Sequence, residues 1–82
     1  MANSMTAQLH MLKPGATGII KAFAEEDGLT DQLREMGFAE DISIEIMHES
    51  PIGKDPMVVQ VGAMIIALRR QEAAHIFVQL TD

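Results

Sequence analysis

The side chains able to do chemistry are few and scattered. The three histidines, His10, His48 and His75, lie far apart in the sequence. A metal site needs His or carboxylate ligands that converge in a defined geometry. His48 and Glu49 are neighbours, but adjacent side chains on a strand point to opposite faces. They cannot both chelate one ion without a bend in the chain. Glu25, Glu26 and Asp27 form an acidic run that holds a hard cation only weakly, and its simplest reading is a solvated turn. Cysteine is absent, which excludes disulfide staples, zinc–thiolate sites and thiol catalysis. No resident metal or cofactor is expected.

Catalysis finds as little support. Thr17, Thr30, Ser43 and Ser50 carry hydroxyls, but no base is spaced to activate one of them. Gly15-Ala16-Thr17-Gly18 lacks the spacing and the lysine of a nucleotide-phosphate cradle. Arg69 and Arg70 have the charge of an arginine finger, which stabilises a phosphoryl-transfer transition state. The simpler reading pairs Arg69 with Glu72 at i+3. No enzymatic activity is expected.

These residues must be positioned by short elements. Lys13-Pro14-Gly15 is a turn signal, because Pro pre-sets the first central position and Gly accepts positive φ at the second. A strand follows through Thr17, Ile19, Ala22 and Phe23, with Gly18 a point of close backbone approach. Leu29, Leu33 and Met36 recur at i, i+4 and i+7, which predicts one short helix over about Leu29–Met36. Asp27 or Thr30 is placed to cap its start, and Gly37 to end it in a left-handed conformation. Ile42, Ile44 and Ile46 alternate with Ser43, Glu45 and Met47, the pattern of a half-buried strand. Residues 48–56 read as a polar loop. Met57–Val61 and Met64–Leu68 read as strands joined across Gly62-Ala63, a pair suited to a type II′ turn. Residues 69–74 read as a helical turn, and Ile76–Val78 as the closing strand.

The expected fold is therefore mainly β: a small five-stranded barrel with one short α-helix and a short helical turn before the last strand. Closure removes the edges that a flat sheet leaves exposed. The chain has 82 residues, enough for one domain. Residues 1–7 are expected to be disordered and 8–82 to form that single domain. With 48% apolar residues a core is feasible without staples. Six basic against twelve acidic residues give a net charge of −6. Duplex binding gains affinity from Lys and Arg on phosphates, so nucleic acid is not an expected partner. No apolar run approaches the ~20 residues that span a bilayer, so no direct membrane insertion is expected. The opening residues lack the basic and apolar regions of a signal peptide, and a cytoplasmic location is expected.

The order of motifs from Leu9 to Val78 resembles the FeoA family of small SH3-like barrels. Leu12-Lys13-Pro14-Gly15 with Gly18-Ile19-Ile20 is similar to the family's opening turn and strand. Leu33-Arg34-Glu35-Met36-Gly37-Phe38 is similar to its helix end. Pro51-Ile52-Gly53-Lys54-Asp55-Pro56, Val59, Val61-Gly62, Ile66-Ala67-Leu68-Arg69, Glu72-Ala73 and Ile76 follow its C-terminal half in order. Each stretch is common alone; the ordered set is specific. The chain departs from the family in two places. Glu40-Asp41 stands where members usually carry Pro-Gly, and the Gly-Asp-Pro turn is stretched by Lys54. Asp tolerates the left-handed region better than most residues, so the first turn can survive.

The resemblance implies an accessory or regulatory protein of ferrous-iron transport, docking on FeoB, a membrane transporter with a cytosolic G domain. Any contact with Fe(II) is then weak or indirect. The family is also similar to the barrel domains that end iron-dependent repressors, which gives an alternative: a regulatory domain that senses a divalent metal. A binder of proline-rich peptides is a poorer fit, because such grooves are lined with aromatics and the chain has no Trp or Tyr. The expected partner surface is the helix with its C-terminal turn, Leu29, Arg34, Met36 and Phe38, together with Arg69. Met47 lies off the Ile42/Ile44/Ile46 face, which leaves it exposed. Exposed methionines suit adaptable binding surfaces. Self-association into a homo-oligomer is compatible with the sequence.

Overall fold

The computed structural model describes residues 5–81. Six antiparallel strands form one sheet: β1 (Thr6–Gln8), β2 (Thr17–Phe23), β3 (Ser43–Glu49), β4 (Met57–Val61), β5 (Met64–Leu68) and β6 (Ile76–Thr81). Their spatial order is β1-β6-β2-β3-β4-β5. Two α-helices, α1 (Gly28–Glu35) and α2 (Arg70–Ala73), and a 3-10 turn at Leu9–Met11 complete the fold. The mainly-β class with one short helix and a helical turn before the last strand is as expected.

Two expectations are corrected. The stretch 1–7 is not unstructured throughout, because Thr6, Ala7 and Gln8 pair with Gln79, Val78 and Phe77. Ala7 packs on the core, which adds apolar burial to the β1–β6 ladder. Residues 1–4 lie outside the described residues. The sheet therefore has six strands, not five. Among the described residues the ladder runs from β1 to β5, with no strand pairing between those two ends. The 3-10 turn and α2 are joined by side chains instead. Gln8 Nε2 donates to the Ala74 carbonyl at 2.9 Å, and the Arg70 guanidinium donates to the His10 carbonyl.

The core follows from period-two burial. Ile44 and Ile46 on β3, Met57, Val59 and Val61 on β4, and Ile76 and Val78 on β6 are all buried. Leu9, Ile20, Leu33, Phe38 and Leu68 fill the space between them. Gly18 lies against β6; an added Cβ would sit 2.4 Å from Val78 Cγ1 and 2.6 Å from the Gln79 carbonyl oxygen. No side chain fits there, as the close-approach reading required. A bulge between Ile46 and His48 places Met47 outside the ladder and leaves it exposed.

Helix α1 is short and depends on its ends. Asp27 accepts the Thr30 N–H at 3.1 Å, so Asp27 is the cap and Thr30 its partner. The Thr30 hydroxyl is spent on the Glu25 carbonyl. Gly37 ends the helix with φ 113°, a conformation costly for any other residue. Asp41 takes φ 71° in the following turn, where its side chain is tolerated. The two-residue connection between β4 and β5 has Gly62 at φ 59°, as a type II′ turn requires.

Candidate functional site: an apolar patch between α1 and the β4–β5 hairpin

The expected partner residues divide between core and surface. Phe38 is 0% exposed and belongs to the core, so it cannot form part of a docking surface. Its backbone N–H bonds the Leu33 carbonyl at 3.1 Å, which turns the ring inward directly after Gly37. The sequence pattern misled here because Gly37 reverses the chain, and helical periodicity does not extend past it. Leu29 and Met36 are half-buried and pack on the core with one side only.

Arg34 is committed within the molecule. Its guanidinium meets Glu40 at 2.6 Å and Glu26 at 2.9 Å. The same group lies 4.6 Å from the centre of the Phe23 ring. Arg34 thus ties the turn before α1 to the turn after it. Glu40 responds accordingly: the hydrogen bond from Arg34 holds its carboxyl below the usual range. Arg34 itself is pushed further up by the bond to Glu40 and by Glu26. Asp27 is likewise held low, first by the Thr30 N–H and then by His75, whose Nε2 is 3.2 Å away.

Arg69 is exposed and lies elsewhere. Its side chain reaches Asp55 at 3.7 Å, and its backbone N–H donates to Glu72 at 2.9 Å. Glu72 therefore caps the start of α2 instead of forming the i+3 side-chain pair. Arg69 follows β5 at the end away from Met64, a separation of about 17 Å along five extended residues. Arg69 and the α1 residues do not share one patch.

The residue that sequence reasoning left out of the partner surface is Met64. Its Cε lies over the bare backbone of Gly37, where an added Cβ would sit 2.3 Å away. Met64 keeps 48% of its surface exposed. Ile42 borders the same corner, with its Cγ2 3.7 Å from a Cβ added at Gly62. Met64 thus meets the Gly37 turn at the end of α1, directly after half-buried Met36, while Ile42 lies by Gly62 at the hairpin turn. In the sequence Met64 is the first residue of the predicted strand Met64–Leu68, and no local pattern sets it against Gly37.

Several of the remaining candidates are occupied structurally, whereas His10 Nδ1 is buried with no hydrogen-bond partner among the described residues. The Thr17 hydroxyl bonds the Thr81 carbonyl and hydroxyl, both at 3.1 Å, and Ser50 bonds the Ile52 backbone. The Arg70 guanidinium donates to Glu49 at 3.1 Å, and its backbone N–H donates to the Asp55 carboxylate at 3.0 Å. Among the described residues no group of three His, Asp or Glu side chains is placed to hold a metal. A shallow groove of about 280 Å³ crosses the outer sheet face, lined by Thr17, Ile19, Ser43, Glu45, Gln60 and Thr81. No described helix is long and apolar enough to cross a membrane.

Comparison with known proteins settles the family. The FeoA domain model matches residues 7–80. The chain belongs to the FeoA family. Among solved structures, iron(II) transport protein A from Clostridium thermocellum is 36% identical, with a TM-score of 0.84 over 92% of this chain and 46% of that one. The FeoA of Stenotrophomonas maltophilia, solved with zinc and described as a procaryotic SH3 domain protein, is 28% identical. Its TM-score is 0.74 over 94% of this chain and 89% of that one. A manganese-dependent transcriptional repressor shares the fold at 16% identity, with a TM-score of 0.84 over 99% of this chain and 45% of that one. No curated protein sequence matches the chain.

Proposed function

We propose that this FeoA-family chain is a non-enzymatic, cytoplasmic accessory of ferrous-iron transport that docks on a FeoB-type transporter through the patch around Gly37. Family membership supports the iron-transport assignment, and the Stenotrophomonas relative is described as possibly acting as a ferrous iron transport activating factor. The observation that carries the docking surface is Met64 lying half-exposed over Gly37, the residue that follows Met36. Methionine is flexible and polarizable, so such a corner adapts to a partner's apolar side chains. Leu29 continues the patch along α1. Arg34 serves it indirectly, by fixing both ends of the helix. Arg69 stands apart as a charged contact at the far end of β5, suited to an acidic group on the partner.

The test is a titration of the purified domain into the cytosolic part of its own FeoB-type transporter, with and without Fe(II) and guanine nucleotide. Saturable binding that Fe(II) leaves unchanged is the expected result. Binding that requires Fe(II) would favour a metal-sensing domain instead, and no binding in any condition would remove the docking role.

A further inference from the structure

We propose that the free edge of β5 pairs with the same edge of a second copy of this chain, forming an antiparallel dimer with one continuous sheet. Among the described residues strand β5 pairs with β4 alone and ends the sheet. The two-residue turn sets which backbone groups are free. Val61 faces Met64 across the turn and Val59 faces Ile66, so those residues exchange the ladder bonds. The Gly62 N–H bonding to Ser43 at 2.9 Å gives the same parity, because it turns Gln60 toward β3 and Val61 toward β5. The N–H and C=O groups of Ile65 and Ala67 therefore point away from the sheet.

Edges are normally blunted by shortness, by lysine or proline, or by a bulge. The other edge, β1, is only three residues long. Strand β5 is five residues long, contains no charged residue and no proline, and pairs with β4 without a register shift. Ile65 stands 65% exposed on it, and Ala67 is exposed as well. A second copy fits this edge because the strand is self-complementary. The net charge of −6 opposes the meeting of two copies, and the uncharged edge keeps carboxylates from facing one another across the seam. A twofold axis at Ile66 sets Ile65 opposite Ala67 of the second copy, a large side chain beside a small one. The outward groups of both residues are then satisfied in each molecule. Arg69 falls opposite Ala63 of the second copy, away from its counterpart. Such an edge buries less than the roughly 1,200 Å² of a standard interface, so the dimer exchanges with monomer and depends on concentration.

The experiment combines sedimentation of the chain alone over a concentration series with amide hydrogen exchange. The expected result is a monomer–dimer equilibrium in which the Ile65 and Ala67 amides gain protection as concentration rises. The Met64, Ile66 and Leu68 amides, already bonded to β4, stay protected throughout. Ile65→Lys places a charge on the exposed face and weakens association at least tenfold while leaving the thermal midpoint near its original value. Ala67→Lys, tested as a second variant, gives the same loss. A chain that stays monomeric at millimolar concentration overturns the proposal. So does a dimer that both variants leave intact, or one in which the Ile65 and Ala67 amides exchange equally fast at every concentration.

Discussion

At the residue scale, the division between Phe38 and Arg34 shows what a motif can conceal. Both belong to a stretch similar to the family pattern, and both read as partner contacts. Phe38 is buried, so Phe38→Ala should cost about 3–5 kcal/mol of stability by urea unfolding, whatever it does to binding. Arg34 acts through two carboxylates and a ring. Arg34→Ala should lower the thermal midpoint by a few degrees, and high salt should shrink that difference. Arg34→Lys should restore little of it, because an ammonium cannot reproduce the forked contact with Glu26 and Glu40. The carboxylates give a pH prediction with a definite sign. Asp27 and Glu40 are held below their ordinary values in the folded state. Unfolded carboxylates titrate near pH ~4. Their stabilisation is therefore complete above that value and lost as pH falls through the lower folded values. Stability should decline below about pH 4, and the pair Asp27→Asn with Glu40→Gln should flatten the decline when urea midpoints are compared.

At the scale of elements, most of the fold was legible. The β4–β5 hairpin was announced by two apolar runs across Gly62-Ala63, and α1 by Leu29, Leu33 and Met36 between an Asp cap and Gly37. Gly18 was read as a close approach, and the geometry explains why. Gly18→Ala should destabilise by about 1–3 kcal/mol, because β6 backbone cannot move aside as a side chain would. Gly28→Ala is its control: nothing lies within 4 Å of an added Cβ. That change should be neutral or stabilising, by about 0.5–1 kcal/mol. Strand β1 was missed because three residues of small and polar type carry no periodic signal; its order comes from β6, some seventy residues away. Turn spacing reports how many strands follow one another, but not whether the first and last of them meet.

At the scale of the whole molecule, the site was only partly legible. Leu29 and Met36 were placed correctly on one helical stripe. Met64 reaches the end of α1 only because the hairpin folds back over Gly37, a long-range contact that no local pattern encodes. The two surfaces proposed for this FeoA-family chain remain separable, since Met64 and Ile65 point to opposite faces of β5. Substitution at Ile65 tests self-pairing, and substitution at Met64 tests docking. The most direct measurement is a titration of the cytosolic part of the FeoB-type transporter with the unaltered chain, with Met64→Glu, and with Ile52→Glu as an exposed control on the β3–β4 loop. The account predicts saturable binding by the unaltered chain and by Ile52→Glu, and at least tenfold weaker binding by Met64→Glu at unchanged thermal stability. Equal binding by all three would contradict the patch, and no binding by any would contradict the docking role itself.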